Sequence, residues 1–408
     1  MEASKLPLEG VTIADFSWVL AGPRATEFLG AMGARIIKIE GPYRPDQFRG
    51  TPGGAPIPDT DPEKYSATFW SLNYSKLGCT VDITQPKGRE LALEIVKQSD
   101  VVIENYAYGV MEKAHLSYAD LCEVKPDIIM VSGSAVGKTG PSKGYVAYGQ
   151  MLHAFSGVNT VTGYEGEKSG TISGTWTDPI TGATLVLAVL SAVWYKQRTG
   201  KGQWIDCSMG ETTINQIPDL FLDYTVNGRV TKPYGNQDQH GAPHDSYPCR
   251  EDGKWLAITV RNQQEWESFC TAINSPGWTL DSRFADQYKR WKNRHVLDGF
   301  VKGWTKTQHA TDAMHLLQRA GVPAAVCHNN KGIYEDPHLN ARGFLVELEQ
   351  EIVGRKPVVR LPWLLNPGPN GRYFPAPLLG QHNDLVFREM LGLSDDAIED
   401  LRASKVIL

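Results

Sequence analysis

The sequence predicts an α/β protein whose large domain is a doubly wound, mostly parallel sheet of the Rossmann type, accompanied by a smaller α+β domain. Three observations support this prediction. Short apolar, β-branched segments alternate with helix-like segments through the first half of the chain. After about residue 226 the composition changes to loops rich in Gly, Pro, His and Trp. The length of 408 residues also exceeds what one ordinary domain uses.

Six segments have the length and apolar content of buried strands: VTIADF from residue 11, RIIKIE from 35, TVDI from 80, DVVIEN from 100, DIIMVSGSA from 127 and QWIDCSM from 203. The main helical patterns between them are ATEFLGAMGA, KGRELALEIVKQ and ITGATLVLAVLSAVWYKQR. Strands that alternate with helices are joined in parallel, because each helix returns the chain to the end where the next strand begins. The alternation therefore predicts one parallel sheet with helices on both faces.

The predicted boundaries give a large α/β domain over residues 1–225, a small α+β domain over 226–339 and a C-terminal segment over 340–408 that returns to the large domain. In the small domain, KWLAITV is typical of a strand, and a helical pattern follows from 263 to 320. Near the C-terminus, Ser394 precedes three acidic residues, which predicts a helix N-terminus.

The composition is that of a soluble globular enzyme, with 41% hydrophobic and 21% charged residues. A net charge of -5 argues against a nucleic-acid partner. The six cysteines are scattered and contain no C-x-x-C pair, so no metal site and no disulfide framework is predicted. The start, MEASKLPLEG, lacks the apolar stretch of a secretory signal, and the longest apolar run, Leu185 to Tyr195, is too short to cross a bilayer. We expect a cytoplasmic protein with no membrane partner.

The stretch VSGSAVGKTG, residues 131–140, follows a predicted strand and nearly spells a phosphate-binding P-loop. A P-loop needs four residues between its first glycine and Gly-Lys-Thr, because the backbone amides must curl around one phosphate before a helix begins. This stretch has only three, and Gly140-Pro141 favours a turn where the helix would continue. We therefore expect a plain strand-to-helix turn and not a nucleotide-hydrolysing loop.

Other familiar motifs are incomplete or absent. The glycines of AGPRATEFLGAMGA do not have the G-x-G-x-x-G spacing of a dinucleotide site, and the chain contains no G-x-S-x-G elbow. His240 and His244 stand four residues apart, as helical metal ligands do, but Gly241 and Pro243 disfavour a helix there. The motifs therefore predict no dinucleotide cofactor, no hydrolase serine and no metal centre.

Asp178 is the candidate catalytic residue, in the segment TWTDPITGATLVLAV that opens a long apolar helix. From the local pattern alone, it is an ordinary helix N-cap followed by proline at the first helical position. The same position also has a chemical use. The helix dipole keeps a carboxylate ionised there, and neighbouring amides can hold a developing oxyanion.

Six stretches occur in an informative order: LPLEGVTIADFSWVLAGPRATEFLGAMGARIIKIE, SKLGCTVDITQPKGREL, VVIENYAYGVMEK, GTWTDPITGATLVLAVLSAVWYKQRTGKGQWIDCSM, GAPHDSYPC and PLLGQHND. Together they resemble the class III CoA-transferases, a family that includes formyl-CoA and carnitine-CoA transferases, and they span essentially the whole chain. The turn VSGSAVGKTGP also resembles the family's turn ending in T-G-P. The resemblance implies the doubly wound fold above. It also implies an interlocked dimer, in which each chain threads through a ring made by its partner.

The resemblance implies that Asp178 is a nucleophile. Its carboxylate would attack the thioester carbonyl of a donor acyl-CoA, giving an acyl-aspartyl anhydride and CoA thiolate. The thiolate would then attack the aspartyl carbonyl to give an aspartyl-CoA thioester, which the acceptor carboxylate would convert into a second anhydride before CoA takes the acceptor acyl group. Each intermediate stays as activated as the thioester. Acyl-CoA and a carboxylic acid are thus the implied substrates, with no permanently bound cofactor.

The resemblance also assigns binding residues. The positions that contact CoA in formyl-CoA transferase fall on Leu20, Ala21, Val81, Asp82, Ile83, Thr84, Asn105, Tyr106 and Lys113. Leu77 stands where the family has an arginine, so the residues that hold the CoA phosphates are left open.

The acceptor site is predicted to be apolar and aromatic, with Trp18, Leu20, Tyr148, Gly149 and Trp176 as its candidate residues. Formyl-CoA transferase has polar residues in place of Leu20 and Gly149. Within the family, DFSWVLAGP and APHDSYPC look most like the benzylsuccinate CoA-transferase branch, which uses succinyl-CoA as donor and works as two related subunits.

Alternatives to this prediction are an α-methylacyl-CoA racemase, a CoA-transferase of the formyl/oxalate or carnitine type, and a non-catalytic partner subunit of a hetero-oligomer. Racemases of the family carry a His-Asp pair where this chain has Tyr148 and Gly149, so one of the two bases for proton exchange is missing. The sequence does not distinguish a homodimer from a heteromer with a related subunit.

Overall fold

The computed structural model describes residues 5–50, 66–168, 170, 172, 174–352, 354–366 and 368–408. The chain divides into two compact units. Unit 1 comprises Met1–Asn159, Thr171–Val230 and Arg342–Leu408, and unit 2 comprises Thr160–Gly170 and Thr231–Ala341. Residues 160–170, which the sequence places in the large domain, group with unit 2.

Unit 1 is built on a parallel sheet of β1 (Thr12–Asp15), β2 (Arg35–Glu40), β3 (Leu77–Thr80), β4 (Val101–Glu104), β5 (Ile129–Ser134) and β6 (Trp204–Ser208). The strand order is β3-β2-β1-β4-β5-β6. The first three strands extend from the centre in one direction and the next three in the other, so the order reverses between β1 and β4. The predicted doubly wound α/β fold is confirmed.

The predicted position of the third strand is wrong by about three residues. TVDI from residue 80 was expected to form it, whereas β3 pairs with β2 through Leu77 to Thr80. The chain turns immediately afterwards, because the carboxylate of Asp82 accepts hydrogen bonds from the backbone N–H and the hydroxyl of Thr84. This turn ends the strand.

The helices of unit 1 are α1 (Ala21–Ala31), α2 (Ala67–Asn73), α3 (Pro86–Lys97), α4 (Val110–Lys113), α5 (Tyr118–Val124), α6 (Gly149–Phe155), α7 (Val158–Val161, which spans the boundary of the units), α8 (Thr177–Thr199), α9 (Met209–Ile214) and α10 (Pro218–Asn227). The C-terminal segment adds the antiparallel hairpin of strands Leu345–Gln350 and Gly354–Val359, the π-helix Leu385–Met390 and the helix Asp395–Ala403. The Ser394 hydroxyl accepts a hydrogen bond from the Ala397 N–H, which confirms the helix N-terminus predicted there. A 3₁₀ turn also lies at Gln47–Arg49.

Alternate residues of the strands pack on opposite faces of the sheet, as the pleat requires. On one face, Ile13 lies in a core cluster with Leu29 of α1 and Leu185 of α8. On the other face, Ala14 lies in a second cluster with Leu91 of α3 and with side chains of the C-terminal segment. Both faces of the strands are therefore buried, which explains why they have continuous apolar sequences.

Helix α8 packs against α1 and β5. Gly182 allows the close approach of the two helices, because a Cβ there would lie 2.8 Å from Arg24 Cγ and 3.0 Å from the Ala21 carbonyl oxygen. By length and composition α8 could cross a membrane, but half of its most apolar window is buried within the protein. Core helices have the same composition, so this property carries little weight.

Unit 2 contains an antiparallel sheet of β7 (His244–Pro248), β8 (Trp255–Thr259) and β9 (Ala324–Val326). Its helices are α11 (Gln263–Ala272), α12 (Gln287–Lys292), α13 (Arg294–Thr305), α14 (Ala310–Arg319), α15 (Asn330–Tyr334) and α16 (Pro337–Ala341), with 3₁₀ turns at Gly277–Leu280 and Ser282–Phe284. A separate core forms between the sheet and the helices, with Leu256, Phe269 and Leu317 fully buried.

Candidate active site

The candidate site lies in unit 1 where the strand order reverses between β1 and β4. In doubly wound sheets this crevice at the carboxyl ends of the strands is where ligands bind. Trp18 follows β1 and Asn105 follows β4. The Asn105 amide accepts a hydrogen bond from the Trp18 N–H and donates one to the Trp18 carbonyl, both at 2.9 Å. This two-bond clamp joins the two loops that form the crevice.

The larger of two neighbouring cavities there has a volume of about 310 Å³. Its walls are formed by Phe16, Trp18, Ile39, Gly41, Arg44, Val81, Asp82, Ile83, Thr84, Tyr106, Ala107 and Val110. The segment from Val81 to Thr84 and Tyr106, all predicted to contact CoA, therefore line one cavity. Arg44, which was not selected from the sequence, also lines this cavity. Its guanidinium carbon lies 5.5 Å from the centre of the Trp18 ring.

The smaller cavity has a volume of about 140 Å³ and contains Asp178. It is lined by Trp18, Val19, Asn105, Tyr106, Ala107, Tyr108, Ser134, Ala135, Lys143, Tyr145, Val146, Ala147, Tyr148, Asp178 and Met209. Trp18, Tyr106 and Ala107 belong to the walls of both cavities, so the two are adjacent. The predicted acceptor residues Trp18 and Tyr148 thus lie beside the predicted nucleophile.

The other predicted residues lie outside the walls of these two cavities. Leu20 precedes α1, and Ala21 is fully buried against Leu152 and Met209. Lys113 ends α4 with an exposed side chain. Trp176 precedes α8, where its ring lies 6.2 Å from that of His153. Their proposed contacts with CoA or acceptor stay predictions.

Asp178 is not the N-cap that the sequence predicts. Helix α8 begins at Thr177, Trp176 is the N-cap, and no side chain caps this end. Asp178 is the second helical residue and donates its backbone N–H to the Thr175 carbonyl at 3.1 Å. No side-chain hydrogen bond caps this end of α8, so the Asp178 side chain is not engaged as a cap.

The Asp178 carboxylate is 8% exposed, and its Oδ2 atom has no hydrogen-bond partner among the described residues. Burial raises the pKa of Asp178 to about 6, which outweighs the lowering by a backbone hydrogen bond. The expectation that the helix dipole alone keeps this group ionised therefore does not hold at mildly acidic pH. A carboxylate with an unused lone pair and a raised pKa is suited to nucleophilic attack near neutral pH.

Gly149 provides the space behind the Asp178 carboxylate. A Cβ built on Gly149 would lie 2.3 Å from Asp178 Oδ2, a distance that side chains do not adopt. Gly149 is buried and opens α6. Its importance is thus steric, because any side chain at this position would displace the carboxylate.

His153 supports the start of α8 and was missed at the sequence level. Its Nε2 atom accepts a hydrogen bond from the Thr177 N–H at 3.2 Å. This is one of the free N–H groups that every helix N-terminus leaves. His153 is fully buried, and burial lowers its pKa, so the ring is neutral and can accept this bond at neutral pH. A lone histidine in the segment GQMLHAF gave no signal of this role.

The glycine-rich stretch holds a buried ion pair. The Lys138 ammonium lies 3.2 Å from Glu104 Oε1 and 3.0 Å from the Tyr106 carbonyl oxygen. Asp206 accepts the Lys138 N–H at 2.8 Å. Residues 135–148 form no helix, so the phosphate-binding geometry of a P-loop is missing. Lys138 instead fixes Tyr106 at the wall of both cavities.

A second buried ion pair lies behind the loop after β1. Lys38, inside β2, is 3.0 Å from Asp46, and the Asp46 carboxylate also accepts the Val19 N–H. Val19 adopts a φ of 65°, which is strained for a β-branched residue. The lysine between the isoleucines of the RIIKIE strand was the available signal, since a buried lysine requires a partner.

Comparisons with known proteins match nearly the whole chain. A model described as CoA-transferase family III matches residues 8–383. The chain is 28% identical over 404 residues to the succinyl-CoA–D-citramalate CoA-transferase of Chloroflexus aurantiacus, covering 98% of each protein. It is 30% identical over 409 residues to the succinyl-CoA:glutarate CoA-transferase of Homo sapiens, covering 98% of this chain and 90% of that protein. A crystal structure of a CAIB/BAIF family protein from Brucella suis superposes with a TM-score of 0.85 at 29% identity, covering 95% of this chain and all of that one.

The raised pKa of Asp178 predicts that its charge costs stability. The folded-state pKa of about 6 lies above the ordinary value of 3.8, so the folded protein holds this proton more tightly and loses stability as the pH rises from about 4 to about 6. At about pH 7.5 this penalty is about 3 kcal/mol. We expect Asp178→Asn to unfold at a higher temperature than the wild type at about pH 7.5, and by about half that margin at about pH 5, where the penalty is about half as large.

The exposed Asp252, changed to Asn, is the matched control and should alter neither value. Thermal unfolding of the three proteins at both pH values makes the comparison. An Asp178→Asn protein that unfolds at or below the wild-type temperature at about pH 7.5 would show that the carboxylate carries no such penalty.

Proposed function

The chain belongs to CoA-transferase family III and is a CoA-transferase, and we propose that it moves CoA from succinyl-CoA to a dicarboxylic acid through covalent intermediates on Asp178. As in the family, the substrates are CoA thioesters and no cofactor is permanently bound. The observation that carries this proposal is the buried, unpaired Asp178 carboxylate in a small cavity that adjoins a larger one.

Asp178 is suited to act as the nucleophile, because it is the carboxylate among the described residues that line the smaller cavity. In its ionised form Oδ2 attacks the thioester carbonyl of succinyl-CoA, so that a C–O bond forms, the C–S bond breaks, and CoA leaves as the thiolate. The thiolate attacks the aspartyl carbonyl of this anhydride and releases succinate. The acceptor carboxylate then displaces CoA from Asp178, and the thiolate takes the acceptor acyl group and frees the aspartate.

The larger cavity is proposed to hold the CoA moiety. Val81, Ile83 and Tyr106 provide apolar contacts, and Arg44 provides a positive charge at the same wall. A guanidinium binds phosphate through paired hydrogen bonds, which makes Arg44 a stronger candidate phosphate ligand than Lys113, whose side chain lines neither cavity. The thioester end would pass the shared wall at Trp18 to reach Asp178.

The acceptor is proposed to be a dicarboxylic acid, with an aryl-substituted succinate such as benzylsuccinate as one candidate. The similar proteins of Chloroflexus aurantiacus and Homo sapiens are named for D-citramalate and glutarate, both dicarboxylates. The cavity around Asp178 adds aromatic walls from Trp18, Tyr108 and Tyr148, which favour a substrate with an apolar or aryl part.

We propose that unit 1 associates with a second copy of the chain or with a related subunit. Helix α10 has no buried residue, and its Phe221 and Tyr224 side chains are 65% and 60% exposed. On α8, Leu187 and Trp194 are 65% and 60% exposed. Clustered large apolar side chains of this kind are typical of a surface that a partner covers.

A cytoplasmic location is proposed from the cysteines. All six are free thiols, and five of them lie buried or partly buried in the cores of the two units. Unpaired thiols are the usual state in a reducing compartment.

Replacing Gly149 by Ala should reduce CoA transfer from succinyl-CoA to the accepted dicarboxylate about a hundredfold in kcat. The added Cβ would meet Asp178 Oδ2 and displace the carboxylate from the position of attack. Gly144→Ala is the matched control in the same segment, because a Cβ there meets no atom within 4 Å and Gly144 lines neither cavity. Product acyl-CoA is measured by chromatography at saturating substrates.

Equal rates for the Gly149→Ala and Gly144→Ala proteins would show that the space beside Asp178 Oδ2 does not control the transfer. Absence of any acyl-CoA product from the wild type with succinyl-CoA and a panel of glutarate, citramalate, malate and benzylsuccinate would overturn the proposed donor and acceptor class.

Replacing Arg44 by Met should raise the KM for succinyl-CoA about tenfold and leave kcat within about twofold, because a phosphate contact is made equally in the ground and transition states. Lys113→Met is the comparison, and we expect a smaller change in KM from it. Initial rates over a range of succinyl-CoA concentrations give both constants. If Lys113→Met has the larger effect on KM, the original assignment from the sequence is right and Arg44 is not the phosphate ligand.

A further inference from the structure

The small cavity has an unusual distribution of charge. Its floor carries Asp178, and its walls carry the aromatic rings of Trp18, Tyr106, Tyr108, Tyr145 and Tyr148. Among the described residues that line it, Lys143 is the one basic side chain. Arg44, the basic residue of the larger cavity, does not line this one.

Lys143 is held in place without being neutralised. Its ammonium nitrogen lies 4.5 Å from the centre of the Tyr108 ring, a cation–π contact that orients the side chain. Its backbone is fixed in the turn after Gly140, whose carbonyl accepts the Lys143 N–H. In the described part of the chain, no carboxylate forms an ion pair with this ammonium group. The charge is therefore available to an anionic ligand.

A dicarboxylate presents this cavity with an electrostatic problem. The reacting end of each substrate must reach Asp178, as the thioester of succinyl-CoA in the first half-reaction and as the acceptor carboxylate that meets the aspartyl-CoA thioester in the second. The distal carboxylate must meanwhile enter a space walled by aromatic rings. An unpaired carboxylate in such surroundings loses hydration that the rings do not replace. A lysine ammonium in the same wall restores a favourable interaction and, while the donor is bound, offsets the repulsion between the donor's distal carboxylate and the ionised Asp178.

We propose that Lys143 binds the distal carboxylate of the dicarboxylate substrates and thereby makes the enzyme prefer dicarboxylic to monocarboxylic acids. This inference rests on the proposed function. The succinyl group of the donor and the dicarboxylate acceptor occupy the cavity in turn, and each carries one carboxylate beyond the reacting carbon. One cation therefore serves both half-reactions. Lys143 is a specificity-determining residue, because it does not contact the reacting atoms.

The test compares dicarboxylates with isosteres in which a methyl group replaces the distal carboxylate. Glutarate is paired with valerate, and benzylsuccinate with 3-benzylbutanoate, with succinyl-CoA as the donor throughout. The ratio of kcat/KM within each pair cancels any effect of a mutation on the donor, since the donor is the same. Lys143→Met keeps the length and apolar character of the side chain and removes its charge.

We expect Lys143→Met to lower the dicarboxylate-to-monocarboxylate ratio of kcat/KM about tenfold or more, the size of a lost charged hydrogen bond. Lys143→Arg should retain most of the preference. Lys97→Met is the control, because Lys97 lies on the surface of α3, paired with Glu94, and lines neither cavity.

A Lys143→Met protein with the wild-type ratio, or one that loses activity equally on both members of each pair, would overturn the inference while leaving the proposed function intact. A wild type that transfers CoA to none of the four acids contradicts the proposed function itself, and the assignment of Lys143 falls with it.

Discussion

The structure around the site depends on one unfavourable arrangement, a carboxylate buried at the start of a core helix with an oxygen that nothing in the described chain satisfies. Burial of Asp178 costs stability, because water no longer hydrates its charge. Several features maintain this state: Gly149 leaves room for Oδ2, His153 takes the free N–H of Thr177, and Gly182 lets α8 approach α1 closely. These contacts leave the carboxylate free to react. A side chain that capped its own helix would have its lone pairs engaged, so the position of Asp178 two residues after the N-cap has a direct chemical consequence.

The loops of the crevice are held by buried polar contacts because the apolar core ends at the carboxyl ends of the strands. The Asn105 amide joins the loops after β1 and β4, and Lys138 joins Glu104 to the Tyr106 carbonyl. Burial raises the pKa of Glu104 in spite of Lys138, so this pair contributes geometry more than stability. These contacts fix Trp18 and Tyr106, which belong to the shared wall of two cavities, one proposed for a CoA moiety and the other for a small acid. A rigid wall between them fixes where the thioester meets Asp178.

The sheet was predictable because its strands are buried on both faces and therefore have continuous apolar sequences between helical patterns. The third strand was placed too late in the sequence. Gly78 and Cys79 belong to the strand, but small residues give a weak apolar signal. The β-branched residues that follow have a stronger signal, and they lie in the turn at Asp82. The proposed nucleophile was chosen from the family resemblance. The raised pKa of Asp178 and the lack of a hydrogen-bond partner for its Oδ2 atom were not predictable, because both depend on α6 approaching from a different part of the chain. Arg44 and Lys143 were missed for a similar reason: a single basic residue in a loop has no pattern, and its meaning comes from the cavity it lines. The acceptor residue Tyr148 was selected from sequence, and it is 58% exposed in the isolated chain.

The central proposal is that Asp178 forms covalent intermediates and that its raised pKa governs their formation. The most direct measurement is the initial rate at which succinyl-CoA, without any acceptor, modifies Asp178 at a series of pH values from about 5 to about 8. Each sample is transferred to the same hydroxylamine solution, and the Asp178 peptide is analysed by mass spectrometry for its hydroxamate. We predict modification at Asp178 with a rate that rises with pH, is half-maximal near the pKa of about 6 and levels off above about pH 7, where the carboxylate is almost fully ionised. An unmodified Asp178 in a protein that transfers CoA, or a rate that does not change across this range, would contradict it.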